Sequence, residues 1–328
     1  MRTWFFGFLL LPVYLGATLF HQDYDQAVQQ ARLQQVPLLL FFNGSDWSGL
    51  SMKMKKEILQ TPEFEQGIGS SFICVEVDFP QHCSLTIEQS EKNQRVQEKF
   101  GIDQFPSLLL VSNQERVMVK LGYYPESGAA FASDLVRLCA LDKKLSEDLA
   151  RLETLSIDEL WLAYDAAQQL QQQEAMRKIL AVGAQSEQPN FFLVEQYRQF
   201  VMEKGYPSAA CAEIKHRLFH LDPNNQQGHL YHLALMDFQA LASASPANSP
   251  ECVIRPLCDY LEQFGSHDPE HSWRIEMMIA QFYLDKDCWD CALKHAQVAY
   301  EHAPEEKRED LNRMLHYLQD QSAHIAQN

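Results

Sequence analysis

The sequence predicts an α/β domain over residues 18–141 followed by an all-α domain over residues 142–328, behind a leader of residues 1–17. Three observations carry this reading. Short apolar runs recur between residues 36 and 121 with helical segments between them, the layout of strand–helix–strand units. From about Lys143 no strand pattern survives, and Gly and Pro punctuate helical segments of about 12–16 residues. Charge divides along the same line: residues 18–141 carry 10 basic and 15 acidic groups, residues 142–328 carry 16 and 29.

The elements follow in order. Val36–Phe42 is a continuous apolar run, as expected of a strand buried on both faces. Asn43-Gly44-Ser45-Asp46 is a turn cluster, and Ser48 or Asp46 is placed to cap a helix over Met52–Leu59. Phe72–Asp78 alternates as a second strand, Arg95–Phe100 is a short helix, and Ser107–Val111 and Val117–Leu121 are further strands. Ala129–Ala140 is a closing helix. Beyond it, helices are expected over 157–170, 174–184, 191–203, 207–220, 226–242, 252–264, 270–284, 289–302 and 305–321. The Gln-rich stretch Gln168–Gln173 reads as a solvated corner between helices, and Ser243–Pro250 is the clearest loop.

At 328 residues and 46% hydrophobic content the chain is ordinary globular material. Its net charge of −17 argues against a general nucleic-acid binder, which needs a basic face to displace counterions from phosphate. A neutral or basic partner suits it better. The leader reads as an export signal: Arg2 is the only charge before Asp23, Trp4–Leu15 is apolar, and Leu15-Gly16-Ala17 suits cleavage after Ala17. The alternative is a retained membrane anchor. Against it, the uncharged stretch Trp4–Phe20 falls short of the ~20 residues that span a bilayer, and Pro12 interrupts it. All 8 cysteines lie beyond the cleavage point, where an exported chain can oxidise them.

The all-α half repeats itself. Gly205-Tyr206-Pro207-Ser208-Ala209-Ala210 leads into a helix ending at Leu221-Asp222-Pro223, and Asp287-Cys288-Trp289-Asp290-Cys291-Ala292 leads into one ending at Ala303-Pro304. Pro223 and Pro304 are 81 residues apart, which is two periods of about 34 plus an insertion of about the size of the Ser/Pro loop. This resembles a degenerate tetratricopeptide-like array, the alternative being a plain helical bundle.

In the first half, Phe41-Phe42-Asn43-Gly44-Ser45-Asp46-Trp47 runs into Ser48-Gly49-Leu50-Ser51 and then a Lys-rich helix. Thr61-Pro62-Glu63-Phe64, Val75–Pro80, Gly101–Ser107 and Gly122-Tyr123 follow in order. These residues resemble secreted bacterial thioredoxin-like proteins. The resemblance implies a thioredoxin fold whose redox Cys-x-x-Cys would fall on Ser48 and Ser51. Disulfide exchange needs a thiolate, which serine cannot supply. The resemblance also implies a cis peptide bond before Pro106 and an extended peptide pairing with the backbone of Phe105 beside Trp47. Alternatively, Trp47 and Phe105 only cover the edge of the core.

Cys288-Trp289-Asp290-Cys291 is the one Cys-x-x-Cys of the chain and the alternative redox pair, near a helix start but following no strand. His295 and His302 extend it toward a zinc ligand set, but 10 His in residues 142–328 make such spacings common, and no metal is expected. Cys74 and Cys83 bracket a segment that a disulfide could close. No cofactor is expected. The expected protein is an exported, periplasmic or envelope, peptide-binding scaffold or chaperone-like factor with protein clients, no nucleic acid and no membrane segment after cleavage. A thiol-disulfide oxidoreductase or isomerase working through Cys288/Cys291 is the alternative.

Overall fold

The computed structural model describes residues 19–244 and 249–325, so the leader, its cleavage point and the centre of the Ser/Pro loop lie outside the described residues. Five strands form one mixed sheet: β1 (Phe20–His21), β2 (Leu38–Asn43), β3 (Ile73–Asp78), β4 (Ser107–Val111) and β5 (Val117–Leu121), in the order β1-β3-β2-β4-β5. β3 runs parallel to β1 and β2, whereas β4 is antiparallel to β2 and β5. Every residue of β2 is buried, which is what its unbroken apolar run requires of a central strand covered on both faces.

Side chains alternate across the sheet. Leu38, Leu40, Phe42, Ile73, Val75, Val77, Leu109 and Val111 pack on one face with Ala27, Val28 and Ala31 of α1 (Tyr24–Gln34) and Val96 of α4 (Ile87–Phe100). Elsewhere, α2 (Gly49–Met54) passes into a single π-helical turn, Lys55–Leu59. The following α3 (Pro62–Ile68) packs on α5 (Gly128–Ala150) through Phe64 stacked on Phe131. Gly67 of α3 permits this approach, since an added Cβ would sit 2.6 Å from that of Ala132.

The closing helix expected over 129–140 runs on to Ala150. Asp142, nearly buried on that extension, accepts two bonds from Arg116 (2.9 and 2.5 Å) and one from Gln172 (2.8 Å). Helix α6 (Ile157–Gln169) follows, and the chain's two compact units divide between Met176 and Arg177, within α7 (Gln173–Gly183).

The second unit is helical throughout its described residues: α8 (Asn190–Lys204), α9 (Ala209–Leu221), α10 (His229–Ala244), α11 (Pro250–Phe264), α12 (Pro269–Leu284), α13 (Trp289–His302) and α14 (Glu305–Ile325). Starts coincide with cap residues Ser208, Ser249 and Asp268, each accepting an N–H of the first turn, and Pro223 and Pro304 follow the ends of α9 and α13. Fully buried Asp237 of α10 takes the Tyr197 hydroxyl of α8 at 2.5 Å and pairs with Lys215 of α9. Burial pushes this carboxyl up and Lys215 pulls it back.

Candidate functional site

The C-terminal end of β2 leads through Gly44–Trp47 to the start of α2, and the expected peptide-binding residues converge there. Ser48 is the N-cap of α2: its Oγ accepts the Ser51 N–H at 3.3 Å and donates to the Phe105 carbonyl at 3.5 Å. Ser51, one turn in and fully buried, accepts the Gly44 N–H on its Oγ at 3.3 Å. Among the described residues neither hydroxyl has an imidazole, amine or carboxylate partner, so no base activates either as a nucleophile.

Across from Ser48 the Phe105–Pro106 bond is cis, as expected. The Phe105 N–H has no hydrogen-bond partner among the described residues. Trp47 stands edge-on to Phe105 with ring centroids 5.6 Å apart, and the Phe79 ring is tilted against Phe105 at 5.3 Å. The indole is pinned because its Nε1 donates to the Phe79 carbonyl at 2.7 Å. Glycine at position 44 leaves room for this indole, since a Cβ there would come within 2.6 Å of the ring. Trp47 remains 38% exposed beside half-buried Phe105, and Leu50, on the first turn of α2, is 52% exposed.

The loops around these residues are held by carboxylates. Asp46 accepts the N–H groups of Gln81, His82 and Cys83 at 2.8, 2.7 and 2.8 Å. Desolvation pushes the Asp46 carboxyl up, but the three N–H groups outweigh it and hold the group below its ordinary value. Asp78, at the end of β3, receives the Ser45 N–H at 3.0 Å and its hydroxyl at 2.6 Å. Beneath them, Glu76 takes Asn43 Nδ2 at 2.6 Å and Lys55 Nζ at 2.5 Å. Sequence reasoning missed Phe79 and the role of Asp46. Both act through the conformation of residues 79–83, which no periodicity reports.

Cys288 and Cys291 are bonded to each other, and the other six cysteines are free thiols. Cys74 and Cys83, which sequence spacing left open as a pair, are not bridged. Burial pushes the Cys74 thiol up to about 12. Among the described residues no group of three or more His, Cys, Asp or Glu side chains is placed to hold a metal ion, and no helix is long and apolar enough to cross a membrane.

Comparison with known proteins places this arrangement. Residues 20–112 match the model of a family described as thioredoxin-like. The chain is 38% identical over 306 residues to the thioredoxin-related protein DsbJ of Chlamydia pneumoniae, covering 92% of this chain and 88% of that one. The chain belongs to the thioredoxin-related family. It is also 35% identical over 118 residues to the disulfide bond reductase DsbH of the same organism, covering 36% of this chain and 71% of that protein. A solved DsbH oxidoreductase structure matches 40% of this chain and 92% of its own at 31% identity, with a TM-score of 0.35. The thioredoxin-like match includes Trp47, Ser48, Ser51, Phe105 and Pro106, whereas the DsbJ alignment is long enough to take in helical region as well. Cys288 and Cys291 lie outside the thioredoxin-like match.

Proposed function

We propose that the thioredoxin-like domain binds extended polypeptide without exchanging disulfides, Ser48 and Ser51 standing where the redox cysteines of related domains stand. The observation that carries this reading is the unpartnered Phe105 N–H next to the exposed Trp47–Phe105 aromatic strip, directly beside two hydroxyls that are tied to backbone groups. An extended segment laid along this edge gains main-chain hydrogen bonds at Phe105 and buries apolar side chains on Trp47. The hydroxyl at position 48, tied to backbone groups, presents no thiolate to such a segment. The proposed setting is the bacterial envelope, reached through the signal over residues 1–17. There the acidic, tetratricopeptide-like helical region supplies a second surface for clients, since helical arrays present extended concave faces. The role is that of a scaffold or chaperone-like factor with protein clients.

Fluorescence anisotropy of the full chain with a labelled, reduced and carboxymethylated polypeptide tests this reading. The W47A variant is expected to bind at least about tenfold more weakly, the loss typical of a central aromatic anchor. Equal binding by W47A and by L50D removes the strip from the function.

A further inference from the structure

The helical unit carries a second pair of side chains at a helix start, with chemistry that the peptide strip does not use. Cys288 is the N-cap of α13 and Cys291 lies in its first turn, the two bonded to each other. The Cys288 N–H donates to the Tyr283 carbonyl at 2.9 Å, which ties the pair to the end of α12. His295 follows Cys291 by one turn, and the helical period puts Cys288, Cys291 and His295 on one face of α13. On that face His295 Nδ1 lies 2.6 Å from Glu276 Oε2 of α12, and its ring stacks on that of Tyr283 with centroids 5.7 Å apart and planes 18° from parallel. Both members of the His295–Glu276 pair are largely buried, at 22% and 13% side-chain exposure. Half-buried Cys258 of α11 packs against the same apolar core as the bonded pair.

Each feature bears on what the pair does. A bond between residues only three apart restricts the unfolded chain less than any longer loop would, so it is a weak staple. Cys288 makes no side-chain cap bond, which leaves a thiolate formed there in the field of the first-turn N–H groups. With a carboxylate as its partner, Nδ1 of His295 is the donor nitrogen, which fixes the orientation of the ring and leaves Nε2 as its second polar atom. Cys258 differs: burial pushes its thiol up, and Glu276 adds to the effect, which makes it a poorer nucleophile than an ordinary thiol.

We propose that Cys288–Cys291 is a thiol–disulfide exchange site for client proteins, with His295, oriented by Glu276, as the positioning residue that stabilises the cysteine thiolate. A client thiolate attacks one sulfur of the pair. The Cys288–Cys291 bond breaks, a mixed disulfide forms, and the other cysteine leaves as a thiolate. The client's second thiolate then attacks the mixed disulfide, which closes the client's own disulfide and frees the second cysteine. The client dithiol is thereby oxidised by two electrons, and its two protons end on Cys288 and Cys291. Run in reverse, the reduced pair reduces a client disulfide.

The test equilibrates the folded full chain in glutathione buffers of graded ratio, quenches with acid, alkylates, and quantifies the peptides carrying Cys288 and Cys291 by mass spectrometry. The pair is expected to interconvert within the range of these buffers. H295N and E276Q are each expected to shift the equilibrium toward the disulfide by about threefold or more, because the reduced form loses the imidazole or the carboxylate that orients it. C258S and W47A are expected to leave it unchanged, which keeps this site separable from the peptide strip. Circular dichroism confirms that each variant is folded. A pair that stays bonded in the folded chain at every ratio overturns the site. An equilibrium unmoved in both H295N and E276Q overturns the role of His295.

Discussion

The starts of α2 and α13 share one geometry and differ in chemistry. In each, the N-cap and the third helical residue carry the same side chain: Ser48 and Ser51 in one, Cys288 and Cys291 in the other. The serine pair closes on itself through hydrogen bonds, the N-cap hydroxyl taking the N–H three residues on. The cysteine pair closes through a covalent bond and leaves its N-cap without a side-chain hydrogen bond. Only the serine pair stands beside an open backbone N–H and an exposed aromatic strip, and only the cysteine pair stands one turn from an imidazole–carboxylate contact. A helix N-terminus favours an anion at either place. What differs is the side chain, since a thiol can ionise where a hydroxyl cannot, and the proposed split between binding and exchange rests on that difference.

The most direct way to break the comparison is to exchange the chemistry. Placing S48C and S51C in a C288S/C291S background gives α2 the thiols and removes those of α13. The expected result is insulin reduction in the presence of dithiothreitol, rising from background to at least about tenfold above it, because a thiolate at a helix N-terminus is the missing reactant. No activity from a folded variant would show that the fold around Trp47 and Phe105 has lost more than its thiols.

A smaller effect sharpens the binding side. G44A puts a methyl group 2.6 Å from the Trp47 ring, so the indole must swing away and release the Phe79 carbonyl. A loss of about 1 kcal/mol is expected from the lost hydrogen bond and forced repacking. In a unit of this size it appears as a fall of about 2–4 °C in melting temperature. Polypeptide binding should weaken with it, whereas the redox equilibrium of Cys288 and Cys291 should not move. A melting temperature and affinity equal to those of the parent would mean that the indole is not held where the structure places it.

The same contrast explains what the sequence made legible. Helix ends in the second unit were readable to within four residues, because Ser208, Ser249 and Asp268 cap starts while Pro223 and Pro304 mark stops. Helix α13, expected over 289–302, has those bounds. The N-terminal unit was less open. Helix α1 went unpredicted because its buried face consists of Ala27, Val28 and Ala31, too small to mark a period in a Gln-rich segment. Helix α4 starts at Ile87, not Arg95, because its first two turns are polar and Ile87 is 80% exposed. Trp47, Ser48, Ser51, Phe105 and Pro106 were legible as motifs in order. The pinning of Trp47 by Phe79 and the meeting of His295 with Glu276 were not, since each joins elements that only tertiary packing brings together.

A third helix start of the same spacing supplies the finest test. Ser156 is the N-cap of α6 and Glu159 its third residue, and here the two form a reciprocal capping box. Glu159 Oε2 accepts the Ser156 N–H at 2.9 Å, and Oε1 accepts Arg151 at 2.8 Å. The Ser156 backbone N–H and then Arg151 lower the Glu159 carboxyl from 4.5 to about 2. The folded state therefore binds its proton less readily than the unfolded chain does. The charge adds stability that is fully present above about pH 4.5 and is lost as the pH falls toward about 2. E159Q keeps the shape of the cap and removes the charge. Its melting temperature should lie slightly below that of the parent at pH 6 and meet it as the pH approaches 2. A gap that stays constant down to pH 2 would mean the cap works through geometry alone, as at Ser48 and Ser51, where no charge takes part.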